Sequence, residues 1–155
     1  MASMIPGTQV RRLILGIKVD RTAGAIAQTG DLSLFTVTGG RVIVTNIVGE
    51  VTTVIQAQAN AIKLKSVPTT GTAADISGTL DINAYEVGAL VSLNPIALST
   101  ALSGAVAGAA LVPHGTGIVI PIGAIKMNAA ASNTGAMKWS ITYVPFDDGA
   151  AVAAA

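Results

Sequence analysis

Short runs of β-branched and other aliphatic residues, separated by Gly, Pro or Asn, make up most of this 155-residue chain. Within the runs, apolar and polar residues alternate at a period of two, which is typical of strands that turn one side toward a core. Many short strands without a long amphipathic helix favour a sandwich or a jelly roll. We therefore predict an all-β fold, an antiparallel β-sandwich or jelly-roll-like domain with extended terminal arms.

The clearest strand pattern covers Leu32 to Val48 and contains Gly39-Gly40 at its centre. Two glycines accept the positive φ angles of a two-residue turn, so this segment predicts a β-hairpin. Counting outward from the turn pairs Thr38 with Arg41, Val37 with Val42, Thr36 with Ile43, Phe35 with Val44, and Leu34 with Thr45. We expect the side that carries Val37, Val42, Phe35 and Val44 to face the core.

A second clear strand is predicted from Ala136 to Phe146. One side carries Met137, Trp139, Ile141 and Tyr143, and the other carries Lys138, Ser140 and Thr142. Further strands are predicted at Gln9 to Val19, Val51 to Gln56, Ala61 to Val67, Ile76 to Ala84, and on both sides of Pro121. A proline in such a run indicates a sheet edge or a bulge.

The domain organisation follows from these runs. Residues 9–146 are predicted as a single β-rich domain, residues 1–8 as a flexible N-terminal arm and residues 147–155 as a flexible C-terminal tail. The stretch from Ile96 to Ala110 is predicted as a loop, with a short helical turn as the alternative, because its alanines favour a helix and its glycines oppose one.

Charged residues are scarce, at 11% against about 25% in an average soluble domain, while 51% of residues are hydrophobic. Much of the surface is therefore expected to be covered by other protein subunits. The net charge of +1 gives no general attraction to nucleic acid or anionic lipid.

No Asp, Glu, Lys or Arg occurs between Glu86 and Lys126, but the apolar part of this segment, Ile96 to Val112, is shorter than the ~20 residues of a membrane span. We predict that residues 87–125 form subunit contacts, with membrane insertion as the minority alternative.

Catalytic residues are few. The chain has no cysteine and a single histidine, His114, which lies in a Pro-Gly loop and cannot supply a triad or a multi-histidine metal site alone. Asp75, Asp81 and Glu86 stay open as a carboxylate pair for glycoside chemistry, because such pairs come from distant positions. Their local sequence favours ordinary turn and surface acids. We predict no catalytic residue, no cofactor and no metal.

Three short motifs resemble functional sites but fit structural roles better. Gly115-Thr-Gly117 lacks the third glycine of the dinucleotide fingerprint and the Gly-Lys-Ser/Thr ending of a P-loop, so a turn is favoured. Asp147-Asp148-Gly149 lacks the alternating ligands of a calcium loop and predicts a solvated terminus. Lys138-Trp139 places a cation beside an aromatic ring, as in nucleic-acid binding, but alternation sends the two side chains to opposite sides, which favours a core position for Trp139.

At the C-terminal end, the residues from Asn133 to Ala150, NTGAMKWSITYVPFDDGA, resemble the closing strand and tail of small head proteins of tailed bacteriophages. Over the rest of the chain the resemblance is one of general style, with an arm, short Thr/Val/Ala strands and few charges. The chain is similar to capsid decoration, or cement, proteins.

This resemblance implies a non-enzymatic virion protein, made in the bacterial host cytoplasm, that forms a homotrimer on the outer capsid surface. Its partner would be the major capsid protein of the same phage, whose adjacent subunits it would clamp together. Two alternatives stay open: a phage tail, fibre or receptor-facing β module, and a carbohydrate-binding β-sandwich that uses Asp75, Asp81, Glu86 or Trp139.

Overall fold

The computed structural model describes residues 6–93, 102–105 and 117–155. One short helix and twelve strands occur among these residues. Their order is α1 (Gly7–Leu15), β1 (Ile17–Ala25), β2 (Gly30–Thr38), β3 (Val42–Thr53), β4 (Ala61–Pro68), β5 (Ala74–Asp75), β6 (Leu80–Asp81), β7 (Leu90–Ser92), β8 (Ser103–Ala105), β9 (Ile118–Ile120), β10 (Gly123–Ala129), β11 (Ala136–Pro145) and β12 (Ala151–Ala154).

The strands form two antiparallel sheets of six strands each. The first sheet has the order β1-β11-β3-β7-β8, with β9 also paired to β3, and the second has the order β12-β2-β10-β4-β5, with β6 also paired to β4. Buried side chains from both sheets meet in one hydrophobic cluster. The predicted all-β sandwich is confirmed.

Strand alternation decides which side chains enter this core. In β11, Met137, Trp139, Ile141 and Tyr143 are buried, while Lys138 is exposed, as the sequence predicts. Trp139 lies directly opposite Gly49 of β3, so the missing side chain of the glycine leaves room for the indole ring.

The predicted hairpin over Leu32 to Val48 is wrong, because β2 and β3 lie in different sheets. β2 pairs with β10 and β12, whereas β3 pairs with β11, β7 and β9. Gly39-Gly40 therefore carries the chain from one sheet to the other. Gly39 has a φ of 74° and lies against the backbone carbonyl of Gly149, a contact that only a residue without Cβ allows. The predicted core residues Phe35, Val37, Val42 and Val44 are all buried, but they belong to opposite sheets of the core.

The predicted strand from Gln9 to Val19 is also corrected. Gly7–Leu15 forms α1, and β1 begins at Ile17 after Gly16, whose φ of 89° ends the helix. Of the predicted N-terminal arm, residues 1–5 lie outside the described residues, and the end of the arm forms the first turn of α1. No helix in the described part of the chain has the length and apolar character needed to cross a membrane.

The other predicted strands had mixed outcomes. The strand from Ala61 to Val67 is confirmed as β4, and the run from Val51 ends at Thr53 as part of β3. The run from Ile76 to Ala84 forms only the two-residue strand β6, because the chain bends at Ile76 and Ser77 and the Asp81 carboxylate accepts hydrogen bonds from two backbone N–H groups.

Pro121 lies between β9 of the first sheet and β10 of the second, so it marks a second crossover rather than a position within an edge strand. The predicted loop from Ile96 to Ala110 falls largely outside the described residues. The part that is described contains β8, which pairs with β7.

The predicted flexible tail at residues 147–155 is corrected as well. Its residues Ala151–Ala154 form β12, which pairs with β2, and the backbone N–H of Ala155 donates to the carbonyl of Leu34 at 3.1 Å. Alanine-rich sequence gives little strand signal on its own. The open edge of β2 supplies the backbone partners that order the segment.

Candidate interaction surface

Two of the acidic candidates, Asp75 and Asp81, are not brought together into a catalytic pair. Asp75 forms an ion pair with Lys63 at 2.7 Å, and Asp81 accepts a hydrogen bond from the backbone N–H of Asn60 at 2.8 Å. In the strand register Asp75 lies opposite Lys65 and Asp81 opposite Ala61, so Asp75 is beside the middle of β4 and Asp81 beside its first residue. Four residues of strand separate these positions by about 13 Å. That exceeds the roughly 5–9.5 Å between the carboxyl groups of glycosidases.

Glu86 and Trp139 lie in different environments. Glu86 is exposed in the loop before β7, where its backbone carbonyl accepts a hydrogen bond from Ala89. Trp139 is 1% exposed and packs in the core, as predicted. Its neighbour Lys138 points outward and forms an ion pair with Glu50 at 2.8 Å.

Asp147 has a structural partner in Arg41. Its carboxylate accepts hydrogen bonds from the backbone N–H, Nε and Nη2 of Arg41 at 2.8–2.9 Å. The hydrogen bonds from the Arg41 side chain, followed by that from its backbone, lower the pKa of Asp147 to about 2. The Arg41 guanidinium also lies 4.7 Å from the ring centroid of Phe146. These contacts hold the β2–β3 crossover against the end of β11.

His114 and most of Gly115-Thr-Gly117 lie outside the described residues. Within the described ranges, no group of three His, Cys, Asp or Glu side chains is arranged to hold a metal ion.

The outer faces of the two sheets differ in chemistry. On the second sheet, Lys65 and Asn128 contact Asp31, and Lys63 contacts Asp75. The hydrogen bond from Asn128, together with that from Lys65, lowers the pKa of Asp31 against the opposing effect of its burial. This outer face is therefore polar and internally paired.

The first sheet has a polar half and an apolar half on its outer face. In the polar half, Lys18 forms an ion pair with Asp20 at 2.7 Å, and Ser140 donates a hydrogen bond to the same carboxylate. The Lys18 hydrogen bond, followed by that from Ser140, lowers the pKa of Asp20. Lys138 and Glu50 complete this half.

The other half is apolar and is called here the apolar end patch, defined as Ile43, Val119, Val144 and Phe146. Strand register places Val144 beside Ile43, and Ile43 beside Val119, across β11, β3 and β9. Ile43, Val119 and Val144 each have at least one neighbour in the strand that faces inward, so their own side chains point outward. Phe146 follows two residues after Val144 and is 50% exposed.

Helix α1 lies on this same outer face. The Thr45 hydroxyl donates a hydrogen bond to the Leu15 carbonyl at 2.7 Å, and Gly16 packs against the Tyr143 carbonyl. Arg11 and Leu15 line a cavity of about 370 Å³ between the helix and the sheet. The helix is thus attached mainly at its C-terminal end.

The apolar side of α1 points away from the protein. Val10, Leu13 and Ile14 share one side at the i, i+3, i+4 spacing, and they are 41%, 82% and 69% exposed. No residue of the helix is buried. A surface helix normally turns such a stripe toward the core, whereas the stripe of α1 faces solvent.

This helix was not predicted from the sequence. The spacing of Val10, Leu13 and Ile14 was available as a signal, but the β-branched run up to Ile17 favoured a strand. Comparison with protein-family models, curated proteins and solved structures finds no match to this chain.

Proposed function

We propose that this protein is a non-enzymatic structural protein of a bacteriophage virion, which decorates the outer capsid surface and stabilises the shell by bridging major-capsid subunits. The observation that supports the proposal most is the outward-facing apolar side of α1 beside the apolar end patch. A surface of this kind on the first sheet, opposite a polar and internally paired second sheet, suits a protein that attaches by one face.

The distribution of charges supports the same function. Asp75 and Asp81, considered for glycoside chemistry, and Asp147, considered as part of a calcium loop, form ion pairs or accept hydrogen bonds within the domain. They stabilise the fold locally, and the chemistry left on the surface is that of protein contacts.

The physical effect on the shell follows from linkage. A protein that binds only the assembled shell lowers the free energy of that state and not of its dissociated subunits. In the proposed homotrimer, three copies attach together, so weak contacts of one copy are multiplied by effective concentration.

The test is co-sedimentation of the purified protein with assembled capsids that lack it, followed by thermal disruption of those capsids. We expect saturable binding and a higher disruption temperature. Val119→Asp should weaken binding, because it places a charge in the apolar end patch. Val54→Asp is the matched control, since Val54 is 55% exposed just after the end of β3, outside the patch and outside residues 87–125.

Light scattering on the isolated protein completes the test, with a trimer as the expected mass. A protein that stays monomeric and does not sediment with assembled capsids would refute the proposal. Equal binding by the Val119→Asp and Val54→Asp variants would show that the apolar end patch takes no part.

A further inference from the structure

We propose that the cavity between α1 and the first sheet binds a small monocarboxylate with an apolar body. This helix–sheet cavity of about 370 Å³ is lined by Arg11 and Leu15 of α1 and by residues of the strands beneath the helix. Its volume falls within the range of roughly 300–1,000 Å³ that is typical of small-molecule sites. The inference goes beyond the proposed function and does not depend on capsid binding.

The floor of the helix–sheet cavity contains a largely buried amide with spare donors. Asn46 lies opposite Thr142 in the β3–β11 register, on the outward side of the first sheet, and yet it is only 6% exposed. Its Oδ1 accepts a hydrogen bond from the backbone N–H of Ile47 at 2.8 Å. Its Nδ2 donates no hydrogen bond to any described residue, and this leaves Nδ2 as the polar atom that Asn46 presents to the cavity. Because a buried donor without a partner is costly, a ligand that accepts from Nδ2 gains stability here.

Two cationic side chains lie at the same end of the cavity. Lys18 lies opposite Thr142, which lies opposite Asn46, and both Lys18 and Arg11 line the cavity. The Lys18 ammonium forms an ion pair with Asp20 at 2.7 Å, whereas Arg11 forms no ion pair among the described residues. This end therefore carries one positive charge that no described acid pairs. Both cations are exposed, so a ligand can reach them from solvent.

The other end of the cavity has a different character. Glu50 lies four residues along β3 from Asn46, a distance of about 13 Å, and its carboxylate forms an ion pair with Lys138 at 2.8 Å. Three aliphatic side chains also line the cavity: Leu15, Val48 and Leu90. The cavity is therefore apolar along much of its length, with spare donors at one end and an acid at the other.

This arrangement selects the chemistry of the ligand. Guanidinium, ammonium and amide N–H groups donate hydrogen bonds, so the end with Arg11, Lys18 and Asn46 favours an anionic head. One unpaired positive charge matches one negative charge, which favours a carboxylate over a phosphate that carries about two. The aliphatic lining favours an apolar body, and Glu50 disfavours a second negative charge at the far end of the ligand.

The experiment titrates the full-length protein with octanoate below its micelle concentration, followed by calorimetry and by amide NMR spectra. We expect saturable binding at one site, with shifts of the Asn46 side-chain amide and the Thr142 backbone amide. Along the series butanoate, hexanoate and octanoate, each added methylene should tighten binding by about fourfold. Octanol lacks the charged head and inorganic phosphate lacks the apolar body, so each should bind at least about tenfold more weakly than octanoate.

A variant pair tests the cation. Arg11→Gln should raise the Kd for octanoate by about tenfold or more and leave octanol binding unchanged, because a charge-assisted hydrogen bond is lost. Lys126→Gln is the matched control, since it removes one cation from β10 of the second sheet. It should leave the Kd for octanoate unchanged.

Several outcomes overturn the inference. Equal affinity for octanoate and octanol would refute the anionic contact, and phosphate binding as tight as that of octanoate would refute the apolar part of the site. Equal losses in Arg11→Gln and Lys126→Gln would indicate only a general attraction of charge. Shifts confined to Val10, Leu13 and Ile14 would place the alkyl chain on the exposed side of α1 instead. Because capsid binding is measured without octanoate, failure of either test leaves the other proposal standing.

Discussion

Replacing Gly49 by alanine tests how tightly the core is packed around Trp139. Gly49 lies opposite Trp139 in the β3–β11 pair. A Cβ at this position would lie 2.9 Å from two atoms of the indole ring, Cη2 and Cζ3, and 3.0 Å from Cε of Met137. Gly49 has no positive φ, so the cost of Gly49→Ala is steric rather than conformational.

The size of the effect follows from the position of the ring. Trp139 is 1% exposed, so the indole cannot move into solvent to relieve the contact. Adding a methyl group to a well-packed core typically costs about 1–3 kcal/mol. For a domain of this length each kcal/mol lowers the melting temperature by about 2–4 °C, so a fall of roughly 2–12 °C is expected.

The assay uses Trp139, the only tryptophan of the chain, as a fluorescence reporter of urea unfolding, with circular dichroism as a second probe. Gly7→Ala is the matched control, because a Cβ there meets nothing within 4 Å. We expect a lower urea midpoint for Gly49→Ala and no loss for the control. In a Trp139→Phe background, where unfolding is followed by circular dichroism because the fluorescent reporter is gone, Gly49→Ala should cost less, since the two clashing ring atoms are absent.

Equal midpoints for the wild-type protein and Gly49→Ala would refute the reasoning. So would additive effects of Gly49→Ala and Trp139→Phe, because additivity would mean that the two positions do not interact.

Three further predictions concern the connections. The pKa of Asp147 is about 2 in the folded chain, below its ordinary value of 3.8. Between these two values the unfolded state binds more protons than the folded state. The stability that the Arg41 contact provides should therefore be present above pH 4 and lost toward pH 2. Asp147→Asn should flatten this part of a plot of urea midpoint against pH. Asn60→Ala should cost about 1–3 kcal/mol in thermal melts, because Asn60 is 1% exposed and its amide exchanges two hydrogen bonds with the backbone of the β10–β11 loop. Gly39→Ala should lower the urea midpoint more than Gly88→Ala, because both have positive φ but only Gly39 lies against another backbone group, and equal losses would contradict the close contact.

Local alternation was enough to predict which side chains enter the core. Met137, Trp139, Ile141 and Tyr143 were assigned to one side of a strand from their spacing alone, and all four are buried. This works because the side-chain period of a strand is a property of consecutive residues.

Strand pairing was not predictable in the same way, as Gly39-Gly40 shows. A glycine pair suits a hairpin turn and a sheet crossover equally well in sequence. The choice depends on Gly149 and Asp147, which contact this segment from more than 100 positions away. Residues 151–154 were not predictable from local sequence either, because they form a strand by pairing with the open edge of β2.

The candidate surface was predictable only in composition. Low charge and a surplus of apolar residues predict that other subunits cover part of the surface. Composition does not say where the exposed apolar residues lie, which is on α1 and in the apolar end patch of the first sheet. The orientation of α1 depends on the Thr45 hydrogen bond to the Leu15 carbonyl, which no local pattern reveals.

The pairing of β1 with β11 and of β2 with β12 has a consequence for how the chain folds. Each pair joins residues separated by more than 100 positions, such as Ile17 with Tyr143 and Phe35 with Ala154. Contacts of this range require large loops to close before any pairing is gained, which slows folding. During synthesis on the ribosome, neither sheet can be completed until its C-terminal strand has emerged. The edges of β1 and β2 that pair with β11 and β12 therefore stay unpaired while the second half of the chain is made.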